Sequence, residues 1–171
     1  MLKQLCELNG TSGNEKAVRE FIIDKLNTEY TLDNLGSVIA FVGNEENRHV
    51  SINAHMDEVG FIITGVTDDG YLRFSAVGGI DPRVCLDRVV VTENGIKGVI
   101  ADKAFHLLSS DEKDKCPQFD KLLIDIGANC KEDAENLVNL GDFAYFESDY
   151  VEFGDGYIKA KALDDRIGCM L

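Results

Sequence analysis

A run of short, β-branched apolar segments through the middle of the chain restricts the folds that the chain can adopt. The segments lie at 59–66, 71–77, 88–92, 98–102 and 121–127, and Gly, Asp or Asn separates each from the next. Short strands at such spacing predict a small barrel or sandwich. One helix is predicted after these strands, at 131–140, because acidic residues begin it and Gly141 ends it.

Helical patterns come before the β-rich run. Leu2, Leu5 and Leu8 recur at helical spacing, which predicts a first helix that ends before Gly10. An S-x-x-E capping box at 12–15 predicts the start of a second helix. Further strands are predicted at 30–34, 37–43, 49–54, 143–148 and 157–162.

The change in pattern along the chain predicts two structural units. A chain of 171 residues is long enough for one domain that carries a smaller one. We expect an α/β unit formed by 1–64 plus 158–171, and a β-rich unit at 65–157.

Charge and composition limit the partners of the protein. The chain has 17 basic and 31 acidic residues, a net charge of −14, which repels phosphate and predicts no nucleic acid and no anionic membrane as partner. No segment approaches the roughly 20 apolar residues of a membrane-spanning helix, and the N-terminal segment lacks the apolar core of a secretory signal. Five scattered cysteines without a C-x-x-C spacing predict reduced thiols and a cytoplasmic location.

The segment NAHMDEVGF, at 53–61, contains the first candidate for chemistry. Residues i and i+2 of an extended chain lie on the same side, and a metal-bound imidazole favours a carboxylate that holds its other N–H. His55 is therefore a candidate metal ligand and Asp57 its orienting partner. The alternative is a surface histidine beside acids in an acid-rich protein, and Glu58 is interpreted as a solvated carboxylate.

The segment KALDDRIG, at 161–168, is the second candidate. Asp164 and Asp165 follow a predicted strand and precede an apparent helix. Aspartate is a favoured helix N-cap, and Arg166 could simply balance the charge. The alternative is a carboxylate that bridges two metal ions about 3.5–4 Å apart. Taken alone, the segment favours the helix-cap interpretation.

Together the motifs resemble the N-terminal half of the M42 metallopeptidases. These are self-compartmentalised, tetrahedral aminopeptidases, also called glutamyl aminopeptidases and, in some genomes, endoglucanases. The matching motifs cover nearly the whole chain: ELNGTSGNE, DNLGSV, AHMDEVGF, VGGIDPRV, GVIADKAFHLL, LLIDIGA and KALDDRIG. The resemblance implies part of a zinc-peptidase-like (phosphorylase/hydrolase-like) α/β domain with an inserted β-barrel-like domain.

The resemblance also implies residue roles. His55 matches a histidine that binds one metal ion, Asp57 a catalytic aspartate that orients this histidine, and Asp164 a carboxylate that bridges two metal ions, usually zinc or cobalt. Asp165 receives no ligand role. The family's other groups, a glutamate pair, a further aspartate and a last histidine, lie downstream of these motifs. We therefore expect a dinuclear-metal aminopeptidase of which this chain carries part of the site and is inactive alone.

The expected partners follow from the same resemblance: a peptide substrate and further copies of the chain in a homo-oligomer. A non-catalytic fragment or assembly module is an alternative. A glycoside hydrolase, suggested by the endoglucanase name, is a weaker alternative because it needs two carboxylates on either side of a glycosidic bond. The H-x-D and D-D-R motifs favour metal ions instead.

Overall fold

The structure is a computed structural model, and it describes residues 1–44, 48–102 and 116–170. The helices are α1 (Leu2–Glu7), α2 (Lys16–Lys25), α3 (Lys131–Glu135) and α4 (Leu163–Arg166), with 3₁₀ turns at Pro82–Val84 and Gly168–Met170. The strands are β1 (Tyr30–Leu32), β2 (Val38–Ala40), β3 (Gly60–Val66), β4 (Leu72–Val77), β5 (Val89–Thr92), β6 (Lys97–Ala101), β7 (Leu123–Asp125), β8 (Phe143–Phe146), β9 (Val151–Phe153) and β10 (Tyr157–Lys159). Across these described ranges, no helix combines the length and the apolar character that crossing a membrane requires.

This mixed α/β chain divides into two compact units. The α/β unit comprises Met1–Glu58 and Asp149–Leu171, and the barrel unit comprises Val59–Ser148. Both boundaries lie earlier in the chain than predicted. The first moves because β3 pairs with β4 and β8 and so belongs to the barrel unit. The second moves because β9, which was not predicted, pairs with β10 in the α/β unit.

The barrel unit contains a closed, antiparallel, six-stranded barrel. Its strand order is β3-β4-β7-β6-β5-β8, and β8 returns to pair with β3. Alternate residues of β5 and β6 are buried, as expected for strands with one face toward a core. The phenyl ring of Phe61 lies at the centre of this core, 4.9 Å from the rings of both Phe74 and Phe146. The sequence left a barrel and a sandwich open, and the structure has the barrel.

The α/β unit contains two helices near its start and two separate two-stranded sheets, β1-β2 and β9-β10. Among the described residues of this unit, the buried apolar side chains are Leu5, Cys6 and Val18. The strand predicted at 49–54 is wrong, since this segment has no regular secondary structure. Val50 and Ile52 are 87% and 74% exposed. A β-strand is stabilised by hydrogen bonds to a neighbouring strand, and none of the residues that the structure describes pairs with this segment.

The predicted capping box is also wrong. Helix α2 begins at Lys16, and the residue before it, Glu15, makes no side-chain cap. Glu15 Oε1 accepts instead from the Gly13 N–H at 2.9 Å, and Ser12 donates its hydroxyl to Asp57. The predicted strand at 98–102 corresponds to β6, whereas the rest of the GVIADKAFHLL motif lies outside the described residues.

Candidate metal centre

His55 lies between two carboxylates in the α/β unit. Its Nδ1 is 3.0 Å from Oδ1 of Asp57, and its Nε2 is 3.1 Å from Oδ1 of Asp164. The i, i+2 spacing thus places the imidazole and the Asp57 carboxylate together, as the local motif predicts. The second motif contributes Asp164 from 109 positions along the chain. The structure therefore brings the three predicted site residues into one contact network.

Asp164 and Asp165 have different partners. They lie in α4, where both have non-helical backbone angles and a cis peptide bond joins them. Asp165 Oδ1 accepts from the Gly168 N–H at 3.1 Å, whereas the Asp164 carboxylate faces His55. The Asp164 side chain is 94% exposed. The N-cap interpretation therefore does not describe Asp164.

Ser12 extends the network by one residue, because its hydroxyl donates to Oδ2 of Asp57. This hydrogen bond, and then the charge of His55, lower the pKa of Asp57 below its ordinary value. Burial disfavours the charged form of His55, but hydrogen bonds and charges from Asp164 and Asp57 outweigh burial and raise the His55 pKa. The S-x-x-E motif predicts a helix-cap role for Ser12, and no local pattern indicates a contact with Asp57, which lies 45 positions away.

Glu58 is buried, so its interpretation as a solvated carboxylate is wrong. Its Oε1 accepts from Lys161 Nζ at 2.6 Å and from the Gly10 N–H at 3.1 Å. Lys161 Nζ also donates to Asn9 Oδ1 at 2.7 Å. Burial lowers the pKa of Lys161, and the Glu58 carboxylate opposes that shift. No local sequence pattern indicates this pair, because its members are 103 positions apart.

Arg166 is fully buried and does more than balance neighbouring charge. Its Nε donates to the Met56 carbonyl at 2.6 Å, and its Nη1 donates to the Leu5 carbonyl at 2.5 Å and the Leu8 carbonyl at 3.3 Å. The Arg166 side chain therefore binds the backbone of two separate segments, at Leu5–Leu8 and at Met56. The sequence shows only an arginine directly after two aspartates, which does not distinguish this role from charge balance.

The chemistry of the donor set fits part of a metal shell. Zinc accepts imidazole nitrogen and carboxylate oxygen, and an imidazole ligand typically donates its other N–H to a carboxylate. His55 Nε2 and the exposed Asp164 carboxylate are two donors that could bind a metal ion, and Asp57 is the partner of Nδ1. Within the described parts of the chain, no group of three or more His, Cys, Asp or Glu side chains could hold a metal ion. The fit is thus that of two ligands with one orienting group.

Comparison with known proteins agrees with the motifs. Residues 36–171 match the sequence model of the family described as M42 glutamyl aminopeptidase. The lysyl aminopeptidase of Pyrococcus furiosus is 31% identical over 98% of this chain and 51% of its own length. Across the curated relatives that it matches, the chain spans about half of their length.

Solved structures give the same result. A TET aminopeptidase from a marine sediment archaeon of the Thaumarchaeota superposes with a TM-score of 0.89 at 35% identity, over 98% of this chain and 49% of that one. The TET1 peptidase of Pyrococcus horikoshii, which can assemble into a tetrahedron or a large octahedral shell, gives 0.82 at 40% identity, over 98% and 52%. His55, Asp57 and Asp164 all lie inside the region that the family model matches. The chain belongs to the M42 glutamyl aminopeptidase family, as its motifs predicted.

Proposed function

We propose that this chain carries part of the metal centre of a dinuclear-metal aminopeptidase, which removes N-terminal residues from peptides. The observation that supports this most directly is the contact of the His55 imidazole with the carboxylates of Asp57 and Asp164. Membership of the M42 family supports the reaction class. We assign the α/β unit to the zinc-peptidase-like domain of the family and the barrel unit to its inserted domain.

The three side chains have separate roles in this proposal. Asp57 accepts the Nδ1–H of His55, so a cation that replaced the Nε2 proton would have Nε2 and the Asp164 carboxylate side by side as ligands. Asp164 has two carboxylate oxygens and a side chain almost entirely in solvent, so it can serve two cations at once. Divalent ions such as zinc or cobalt, when bound, polarise the scissile carbonyl and lower the pKa of a bound water. Ser12 holds the second oxygen of Asp57 and so fixes the plane of that carboxylate.

The number of ligands determines what the chain can do alone. A catalytic zinc site usually has three protein ligands, and the described residues supply two. We therefore expect weak zinc binding and negligible peptide hydrolysis by the 171-residue chain. A missing general base would by itself cost about 10²–10⁴ in rate.

The partners that we propose are a peptide substrate and further copies of the chain. The assembly of the TET1 peptidase supports a homo-oligomer. Exposed large apolar side chains of the α/β unit also support this proposal, because removing apolar surface from water is favourable. They include Leu35, Ile39, Val42, Val50 and Ile52. We also propose a cytoplasmic location, as the cysteine pattern predicts.

Hydrolysis assays test this function. The 171-residue chain and the complete gene product that contains it are incubated with zinc or cobalt, and with either aminoacyl-anilides or a soluble glucan. We expect the complete product to cleave the anilides, and His55→Ala and Asp164→Ala to abolish this cleavage. Asp69→Asn removes one negative charge, as Asp164→Ala does, but at an exposed position in the barrel unit. This variant should still cleave the anilides.

Two outcomes would contradict the proposal. Glucan hydrolysis without anilide cleavage would assign a different reaction. Turnover by the short chain that disappears in His55→Ala and Asp164→Ala would show that two ligands suffice.

A further inference from the structure

We propose that Glu58, Lys161 and Arg166 are positioning residues that together form a buried charged clamp, which holds the segments carrying Ser12, His55–Asp57 and Asp164 in register. This inference rests on the proposed metal centre, because it concerns the residues that align that centre. None of the three clamp residues is proposed as a metal ligand.

Arg166 connects the two motifs directly. It follows Asp164 by two positions, and its Nε donates at 2.6 Å to the carbonyl of Met56, the residue between His55 and Asp57. The guanidinium is planar and rigid, so bonds from Nε and Nη1 fix its orientation as well as its distance. The Nη1 bond reaches the Leu5 carbonyl at 2.5 Å. One buried side chain thus fixes the Asp164 segment relative to the His55 backbone.

Lys161 makes the same connection from the other side of Asp164. It precedes Asp164 by three positions, and its Nζ lies 2.6 Å from Oε1 of Glu58, the residue directly after Asp57. The two side chains are only 10% and 5% exposed, so water does not compete with the contact. Lys161 and Arg166 therefore flank Asp164, and both bind the segment that carries His55.

The third segment, Leu8–Gly10, joins the same network. The Leu8 carbonyl accepts from both Lys161 and Arg166, each at 3.3 Å. Glu58 accepts from the Gly10 N–H at 3.1 Å, and the Glu58 N–H donates to the Gly10 carbonyl at 2.8 Å. Ser12, two positions after Gly10, then reaches Asp57. The clamp thus sets the direction from which Ser12 approaches.

A positioning role explains why charges are buried here. Buried ion pairs usually add little net stability, because desolvation offsets their attraction, and similar apolar side chains often replace them without loss. Ligands of a metal centre, by contrast, must be held to within about 0.5 Å. The clamp lies where that precision is needed, on both sides of Asp164 and directly beside Asp57.

The test is zinc binding by the 171-residue chain, measured by calorimetry with zinc alone, together with the NMR signals of the His55 imidazole in the metal-free protein. Arg166→Lys keeps the charge and removes the rigid fork. Lys161→Met removes one side of the Glu58 pair. Lys97→Met is the matched control, since Lys97 forms an exposed ion pair with Glu147 in the barrel unit.

We expect Arg166→Lys and Lys161→Met each to weaken zinc binding by about tenfold or more, the usual effect of removing an outer support. Both should also shift the His55 imidazole signals before zinc is added. Lys97→Met should change neither. Wild-type zinc affinity and an unshifted imidazole in the two folded clamp variants would overturn the proposal.

A double variant, Lys161→Met with Glu58→Gln, separates position from folding. It removes both members of the buried pair, so we expect it to recover thermal stability relative to Lys161→Met while its zinc affinity stays low. Wild-type zinc affinity in this variant would overturn the clamp. Loss of the folded α/β unit would also overturn it, because that result would show that the Glu58–Lys161 pair is needed only for folding. If His55→Ala binds zinc as well as the parent chain, the proposed metal centre is wrong. The clamp is then tested by the His55 imidazole signals of the metal-free clamp variants.

Discussion

Replacing Asp57 by Asn tests the orienting role of this carboxylate with little change of shape. In the native chain, the Asp57 carboxylate accepts from the His55 Nδ1–H at 3.0 Å with one oxygen and from the Ser12 hydroxyl with the other. Asparagine has only one oxygen, so it can satisfy one of these donors and must present an amide N–H to the other. The His55 ring then loses either its charged partner or its fixed orientation.

The size of the effect follows from the exposure of the groups. Loss of an outer partner of a metal-bound histidine typically costs 10–100-fold in metal affinity, or about 1.4–2.7 kcal/mol. The side chains of His55 and Asp57 are 56% and 34% exposed, so water can partly replace the lost acceptor. We therefore expect the lower end of this range, about tenfold weaker zinc binding for Asp57→Asn.

The assay is calorimetric titration of the chain with zinc, with Asp69→Asn as the control for the loss of one negative charge. Asp69 is exposed and lies in the barrel unit. Unchanged zinc affinity in Asp57→Asn would refute the orienting role. An equal loss in Asp69→Asn would attribute the effect to net charge.

Three further predictions concern packing and charge. Phe61→Ala, at a fully buried ring in the barrel core, should lower the free energy of unfolding by about 3–5 kcal/mol in urea denaturation. Gly10→Ala should cost about 1–3 kcal/mol in the same assay, because the new Cβ would lie 2.8 Å from Val18 Cγ2. Hydrogen bonds from Arg83 lower the pKa of Asp81 to about 2, so the stability from this pair is present above the ordinary carboxyl value of 3.8 and is lost as pH falls toward 2. In Arg83→Gln, carboxyl NMR titration should find the Asp81 pKa raised but still below its ordinary value, because the backbone N–H of residue 83 continues to donate to the Asp81 carboxylate.

Local pattern predicted all six of the described barrel strands but not their closure. Alternating burial is the same in a barrel and a sandwich, so the sequence of β3 to β8 is compatible with both. Closure depends on the pairing of Phe61 in β3 with Ala144 in β8, which are far apart in the chain. For the segment 49–54, by contrast, the local pattern predicted a strand that the structure does not have. Its alternation resembles a strand, but a strand also needs a neighbour to pair with.

The candidate site was predictable where its residues are close in sequence. The His55–Asp57 spacing is visible in one motif, whereas the choice of Asp164 over Asp165 came only from the family resemblance. Ser12 and Arg166 were misinterpreted because each also has a plausible local explanation, a helix cap and a balancing charge. Their actual partners lie 45 to 161 positions away, beyond what periodicity or spacing can report.

The most direct test of the proposed metal centre is an imidazole NMR titration of the chain with zinc. The sequence contains three histidines, His49, His55 and His106, so each ring can be assigned by substitution. We expect zinc to change the His55 Nε2 signal first, and we expect Asp164→Ala to weaken that response. A zinc response confined to His49 or His106, or a His55 response that Asp164→Ala leaves unchanged, would contradict the assignment of His55 and Asp164 to one metal centre.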